Sequence, residues 1–274
     1  MIQAVGVVVP ARDEERLLPA CLASVKLAGR MVPGVALHLI VVADTCTDRT
    51  AFLAARAGAT VVEGAMTNVG RARLAGTRVL LRQTRALDPA TVWIATTDAD
   101  TLVPPCWLSH QLRHAAQGWE AVVGTVTVTD WSGYPPHFPI TYDRRYAAAP
   151  RRSPVPGRTT PGRTTPPNAA GAAGAKRIGG ARWHPHVHGA NLGVTAAAYL
   201  AAGGFGALPT GEDEALVRAL ESAGRRVLRT TGVSVVTSAR RDPRAPGGFG
   251  HFLARLEAGT AADTAAGTAS QQQA

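Results

Sequence analysis

At 274 residues and 46% hydrophobic content, the chain is long enough for one α/β domain with a sizeable core. Its three cysteines, Cys21, Cys46 and Cys106, are scattered and odd in number, which excludes a disulfide framework or a zinc cluster and suits a reducing, cytoplasmic setting. The formal net charge of +10 would admit nucleic acid, an anionic membrane face or a phosphorylated substrate as partner. Seven of the basic residues (Arg151, Arg152, Arg158, Arg163, Lys176, Arg177 and Arg182) crowd into one segment, however, and aromatics are only 5%. With no helix-turn-helix or RNA-binding pattern, nucleic acid is set aside as a partner. No apolar run approaches the ~20 residues of a membrane span, and Met1 to Pro10 lacks the basic leader of a signal peptide. Peripheral contact of the basic segment with anionic lipid at the inner membrane face stays open.

In chain order, Ile2 to Pro10 reads as a strand buried on both faces, followed by a loop and a helix from Glu14 to Leu27 with Leu17, Leu18, Leu22 and Val25 on one stripe. Val35 to Val42 is a second strand, and a helix runs through Ala57, capped by Thr47 or Asp48. A short third strand spans 58–63, Asn68 to Arg71 opens the next helix, and Thr91 to Thr96 is the fourth strand. Trp107 to Gln117 reads as a helix and Ala121 to Thr129 as an alternating strand. Such short strand–helix alternation indicates βαβ units in a parallel sheet. Residues 150–182, rich in Pro, Gly, Thr and Arg with the near-repeat Pro-Gly-Arg-Thr-Thr-Pro, bury too little to offset ordering entropy and read as a disordered insertion. Order is expected again over 183–258, with an acidic-capped helix from Gly211 to Gly224 and a turned strand from Arg226 to Thr237; residues 259–274 read as a flexible tail.

The chemistry concentrates at strand ends. Val92 to Thr97 is apolar or β-branched and runs into Asp98-Ala99-Asp100, with Pro104-Pro105 just beyond. Acids at the C-terminal edge of a parallel strand sit where open α/β sheets bind ligands. Two carboxylates one residue apart can approach a single hard cation, or form an Asp-rich turn. His184, His186 and His188 alternate along an extended segment, and of these only His188 is taken as a site candidate. A late loop, Ser238 to Asp242 and Gly247 to His251, is long enough to fold over a ligand and carries Arg240, Arg241 and His251.

Six segments together resemble family 2 glycosyltransferases of the GT-A fold. Val7-Val8-Val9-Pro10-Ala11-Arg12-Asp13-Glu14-Glu15 is similar to the family's opening "VVIPAxNEE", and Val41-Val42-Ala43-Asp44-Thr45-Cys46-Thr47-Asp48 to "VVDDGSTD". Asn68-Val69-Gly70-Arg71-Ala72-Arg73 resembles the "N/KGxAxAxN" helix start, and Asp98-Ala99-Asp100 the DxD metal motif. Gly189-Ala190-Asn191 resembles the "G-A/S-N" segment, and Gly203-Gly204-Phe205 with Gly211-Glu212-Asp213-Glu214 the "GGF…GEDxDL" run. The sequence departs from the family at Ala43, at Arg12-Asp13 and at Thr45-Cys46.

The resemblance implies a single GT-A domain, Rossmann-like, with helices on both faces of a mostly parallel sheet and residues 1–149 forming the nucleotide-sugar-binding part. It implies a metal-dependent, inverting transfer of a sugar from a UDP- or GDP-sugar to a hydroxyl acceptor, with Mn or Mg as cofactor. Asp213 would be the general base. Pro10, Ala11, Glu14, Asp44, Arg71 and Asp98 would bind the donor, Arg71 being preferred to Arg73 as the diphosphate grip. His188, Asn191 and Glu212 would face the acceptor, and Asp100, Asp98 and His251 would hold the cation. A sugar-phosphate nucleotidyltransferase or an inactive nucleotide-sugar-binding protein is the alternative. The first would want a Gly-rich, basic signature after the opening strand, and Pro10-Ala11-Arg12-Asp13-Glu14 is not one.

Overall fold

The computed structural model describes residues 1–147, 177–178, 181–242 and 247–259. Most of the 150–182 insertion and nearly all of the tail lie outside the described residues. A seven-stranded sheet forms the frame: β1 (Ala4–Ala11), β2 (Ala36–Asp44), β3 (Thr60–Gly64), β4 (Val92–Thr96), β5 (Ala121–Thr127), β8 (Leu192–Thr195) and β9 (Val227–Val236), with β6 (Arg177–Ile178) and β7 (Ala181–Arg182) as a separate small antiparallel pair. The order is β3-β2-β1-β4-β8-β5-β9. Neighbours are parallel except β8, which runs antiparallel to both β4 and β5.

Strand side chains alternate between two cores. Val5, Val7 and Val9 of β1 and Trp93 and Ala95 of β4 face one side, under α1 (Leu18–Arg30), α2 (Thr50–Arg56) and α4 (Trp107–Ala116). Val92 and Ile94 face the other, under α3 (Val69–Gln83), α6 (Ala196–Ala201) and α7 (Glu212–Ser222). The two-residue period of a strand makes this division automatic once both faces are covered. Gly76 allows α3 to lie close on the sheet, since a Cβ there would stand 2.5 Å from Val8 and 2.9 Å from Val42.

α1 begins four residues later than the sequence suggests. The Glu14 amide donates to Thr50 Oγ1 (2.7 Å) and the Glu15 amide to Asp48 Oδ2 (3.0 Å), so these residues are tied to the neighbouring loop before Pro19 opens the helix. α7 has no side-chain cap. Its N-cap is Gly211 at φ 72°, and Glu212, Asp213 and Glu214 fill the first turn. β5 is buried nearly throughout rather than alternating, because it is an interior strand. Three of the described helices are unmarked in the sequence: the short α6, α5 (Phe138–Ala147) and α8 over 249–259, the last two joined by a largely aromatic cluster of Tyr134, Phe138 and Tyr142 with Phe249, Phe252 and Leu253. No helix among the described residues is long and apolar enough to cross a membrane.

Candidate active site

Strand order reverses at β1, which lies between β2 and β4, and a crevice opens beyond the strands' C-terminal ends. Two adjoining cavities occupy it, of ≈ 260 Å³ and ≈ 560 Å³. The smaller, where the sequence reading expects the donor and so called the donor cavity, is lined by Pro10 and Ala11 at the end of β1, Glu14 beyond it, Asp44 at the end of β2, Asp98 and Asp100 after β4, and Arg240 after β9. The larger, called the acceptor cavity by the same expectation, is lined by Glu212, Asp213, His188, Tyr146 and Phe249 among others. Asp98 lines both.

Local hydrogen bonding explains the donor side. Asp44 is buried, and its Oδ1 accepts from the Met66 amide (2.6 Å), the Thr67 amide (3.1 Å) and Thr45 Oγ1 (2.9 Å). All three bonds end on one oxygen of a carboxylate that lines the cavity. Thr45 and Thr67 hold left-handed backbone (φ 56° and 64°), a strained state kept by these bonds beside the pocket. Asn68 caps α3 by accepting from the Arg71 amide at 2.8 Å.

Asp98 and Asp100 each meet an arginine. Asp98 Oδ1 accepts from Arg73 Nη2 at 2.5 Å, and Arg73 Nη1 donates to Glu212 Oε1. Asp100 Oδ2 accepts from Arg240 Nη2 at 2.5 Å, while Arg240 Nη1 pairs with Glu14 Oε1 at 2.7 Å. Burial pushes the Asp100 carboxyl above its ordinary value, opposed by Arg240 and reinforced by Asp98. Burial likewise raises Glu212, against the pull of Arg73. Arg73, not Arg71, is therefore the interior arginine. Arg71 is exposed and lines neither cavity, because α3 turns position 71 to solvent and position 73 to the sheet.

On the acceptor side Asp213 Oδ2 accepts from the Gly189 amide at 2.6 Å, joining α7 to the segment before β8. The His188 ring contacts the Tyr146 hydroxyl through Nε2 at 2.8 Å, and His186 stacks on Tyr146 at 3.7 Å with planes 10° apart. Burial, with His186 and His184 adding to it, drives His188 down to about 3, so it is neutral in the physiological range. Asn191 does not face the acceptor cavity. It is 1% exposed and clamps the core, Oδ1 accepting from Trp107 Nε1 (2.9 Å) and Nδ2 donating to the Thr125 (2.8 Å) and Val233 (3.2 Å) carbonyls.

His251 also falls outside the geometry expected of it. It lies on α8 and lines neither cavity, whereas Phe249 and Gly250 reach the donor side. Among the described residues, the group of three acids, histidines or cysteines close enough to share a cation is Asp13, Cys46 and Asp48. That group is a loop knot: Asp13 Oδ1 accepts from the Thr47 amide (2.7 Å), and Asp48 accepts from the Glu15 and Thr50 amides. Asp98 and Asp100, hard oxygen donors facing the donor cavity, fit a divalent cation whose other ligands come from phosphate and water. Sequence reasoning missed Tyr146 and Arg73's pairing with Glu212. The first lies beside low-complexity sequence, and the second joins residues 139 apart.

A mostly parallel sheet with an aspartate pair leaving its fourth strand, and two adjoining cavities beyond it, defines a GT-A fold. The model of glycosyl transferase family 2 matches residues 6–182, and the chain belongs to that family. No curated protein matches it. Among solved structures it resembles S. aureus TarS 1–349 in complex with UDP-GlcNAc (TM-score 0.57, 15% identity, covering 91% of this chain and 62% of that one). It also resembles the mannosyltransferase PcManGT from Pyrobaculum calidifontis in complex with GDP-Man and Mn2+ (TM-score 0.53, 18% identity, 86% and 57%). The chain thus spans less than two thirds of the length of either, and at these identities the likeness is one of fold.

Proposed function

We propose that the protein transfers a sugar from a nucleoside-diphosphate sugar to a hydroxyl acceptor, with inversion, assisted by a divalent cation. The observation that carries this reading is Asp98, which lines the donor and the acceptor cavity at once, beside Asp100 and one arginine from the wall carrying Asp213. The nucleoside would lie against Pro10 and Ala11, with Asp44 accepting from a ribose hydroxyl or a base N–H. Asp98 and Asp100 would hold the cation, Mn2+ or Mg2+, which would neutralise charge developing on the leaving diphosphate. Asp213 is the assigned base: its carboxylate lines the acceptor cavity and is oriented by the Gly189 amide, as abstraction of an acceptor hydroxyl proton requires. His188 serves as a neutral hydrogen-bonding partner of Tyr146 in the wall. The GDP-Man and Mn2+ of the mannosyltransferase and the UDP-GlcNAc of TarS are consistent with this donor class. Titration of UDP and GDP by calorimetry, with and without MnCl2, tests it. Binding of one of them that strengthens at least tenfold with Mn2+ is expected, and no metal-dependent binding of either would overturn it.

A further inference from the structure

The donor cavity carries a cation of its own. Arg240 follows β9 by four residues and divides its guanidinium between Glu14 Oε1 (2.7 Å) and Asp100 Oδ2 (2.5 Å). The side chains of Glu14 and Asp100 are 8% and 18% exposed, and that of Arg240 is 20% exposed. Two acids so poorly hydrated repel each other, and a planar guanidinium between them satisfies both. Asp98 is held in the same way by Arg73, but the two arginines differ in freedom. Arg73 stands on α3, is anchored at its other nitrogen by Glu212, and lies directly under Gly189. Arg240 stands on a loop, with its amide on Ser238 Oγ at 3.2 Å.

We propose that Arg240 is a built-in counterion: it competes with the divalent cation for Asp100 and passes to the donor's diphosphate when the cation takes its place. This rests on the donor-site reading above. Glu14, Asp98, Asp100 and Glu212 face Arg73 and Arg240, a net of two negative charges. A divalent cation would neutralise that without the donor's own charge, so on the donor's arrival the displaced guanidinium has a diphosphate to grip, for which its fork geometry suits. The cation alone must displace an arginine without compensation and binds weakly. Cation and nucleoside diphosphate together bind well.

The test uses the full chain with Arg240→Gln, which removes the charge while keeping a polar side chain. Mn2+ affinity without nucleotide, read by electron paramagnetic resonance of free Mn2+, is expected to rise about tenfold, the worth of one charge-assisted hydrogen bond. UDP or GDP affinity at saturating Mn2+ is expected to fall by about as much. A merely structural arginine would move both in one direction, so unchanged or weaker Mn2+ binding by Arg240→Gln overturns the proposal. Should that variant not fold, Arg240→Lys, which is shorter and lacks the planar fork that spans both acids, carries the same opposite-signed expectation at smaller size, and the same result overturns it. Wild-type protein that binds neither nucleotide with Mn2+ would overturn the donor reading itself, and this proposal with it.

Discussion

Replacing Arg73 by Met would keep an apolar stem of similar reach and remove one charge from the interior. Arg73 is 3% exposed and Glu212 2%, so the pair is fully buried, whereas Asp98 is 36% exposed at its side chain and can turn to water. The expected loss is therefore that of a buried pair broken on one side, about 3–5 kcal/mol, with little added for Asp98. Against a typical total of about 5–15 kcal/mol, this would lower the melting temperature by roughly 10 °C. Burial already raises the Glu212 carboxyl and Arg73 opposes that rise, so the variant's Glu212 would sit higher still. A carboxyl raised in the folded state favours folding below its unfolded value, and that contribution is lost as pH climbs through the folded value. The deficit relative to wild type should thus be greatest near pH 8 and shrink toward pH 5. Adding Glu212→Gln should recover most of it at pH 8. Urea unfolding followed by the fluorescence of Trp93 and Trp107, both fully buried, reads the difference. A deficit below about 1 kcal/mol at pH 8, or one untouched by Glu212→Gln, would refute the reasoning.

Asp213→Asn should cut transfer by about 10²–10⁴ in kcat while Mn2+-dependent nucleotide affinity stays within about twofold, measured by product formation and calorimetry on the same sample. Asn191→Ala should cost about 3 kcal/mol or more, since Trp107 Nε1 and two carbonyls lose their partner. Full stability in urea with failed transfer would instead place Asn191 at the acceptor. His184 and His188 are depressed by burial to about 4 and about 3 from an ordinary value of 6.5, so the unfolded chain binds more protons over that interval. Stability should fall as pH drops from 6.5 toward 4, by up to about 1.4 kcal/mol per pH unit for each histidine, and urea unfolding of His184→Gln should show a shallower slope.

Much of this protein is local, and the local part was legible in residue order. Continuous apolar and β-branched runs mark β1, β2 and β4, and the sequence after them puts Asp44, Asp98 and Asp100 at one sheet edge. The GT-A class followed from six such strand-end segments in order. Helix starts were less legible: α1 gave way to side-chain ties with Asp48 and Thr50, more than 30 residues away. Tertiary structure alone decided what the functional side chains do. Arg71 and Arg73 are chemically alike and two residues apart, but the helical repeat sends one to solvent and the other to Asp98 and Glu212. Asn191 reads as an acceptor contact and became a core clamp, because β8 runs between β4 and β5, where its amide meets Thr125 and Val233. Arg240 meets Glu14 and Asp100 from 226 and 140 positions away. Periodicity is a property of neighbours along the chain, whereas ion pairs depend on which strand ends the sheet brings together, and that is settled only when the strands are ordered.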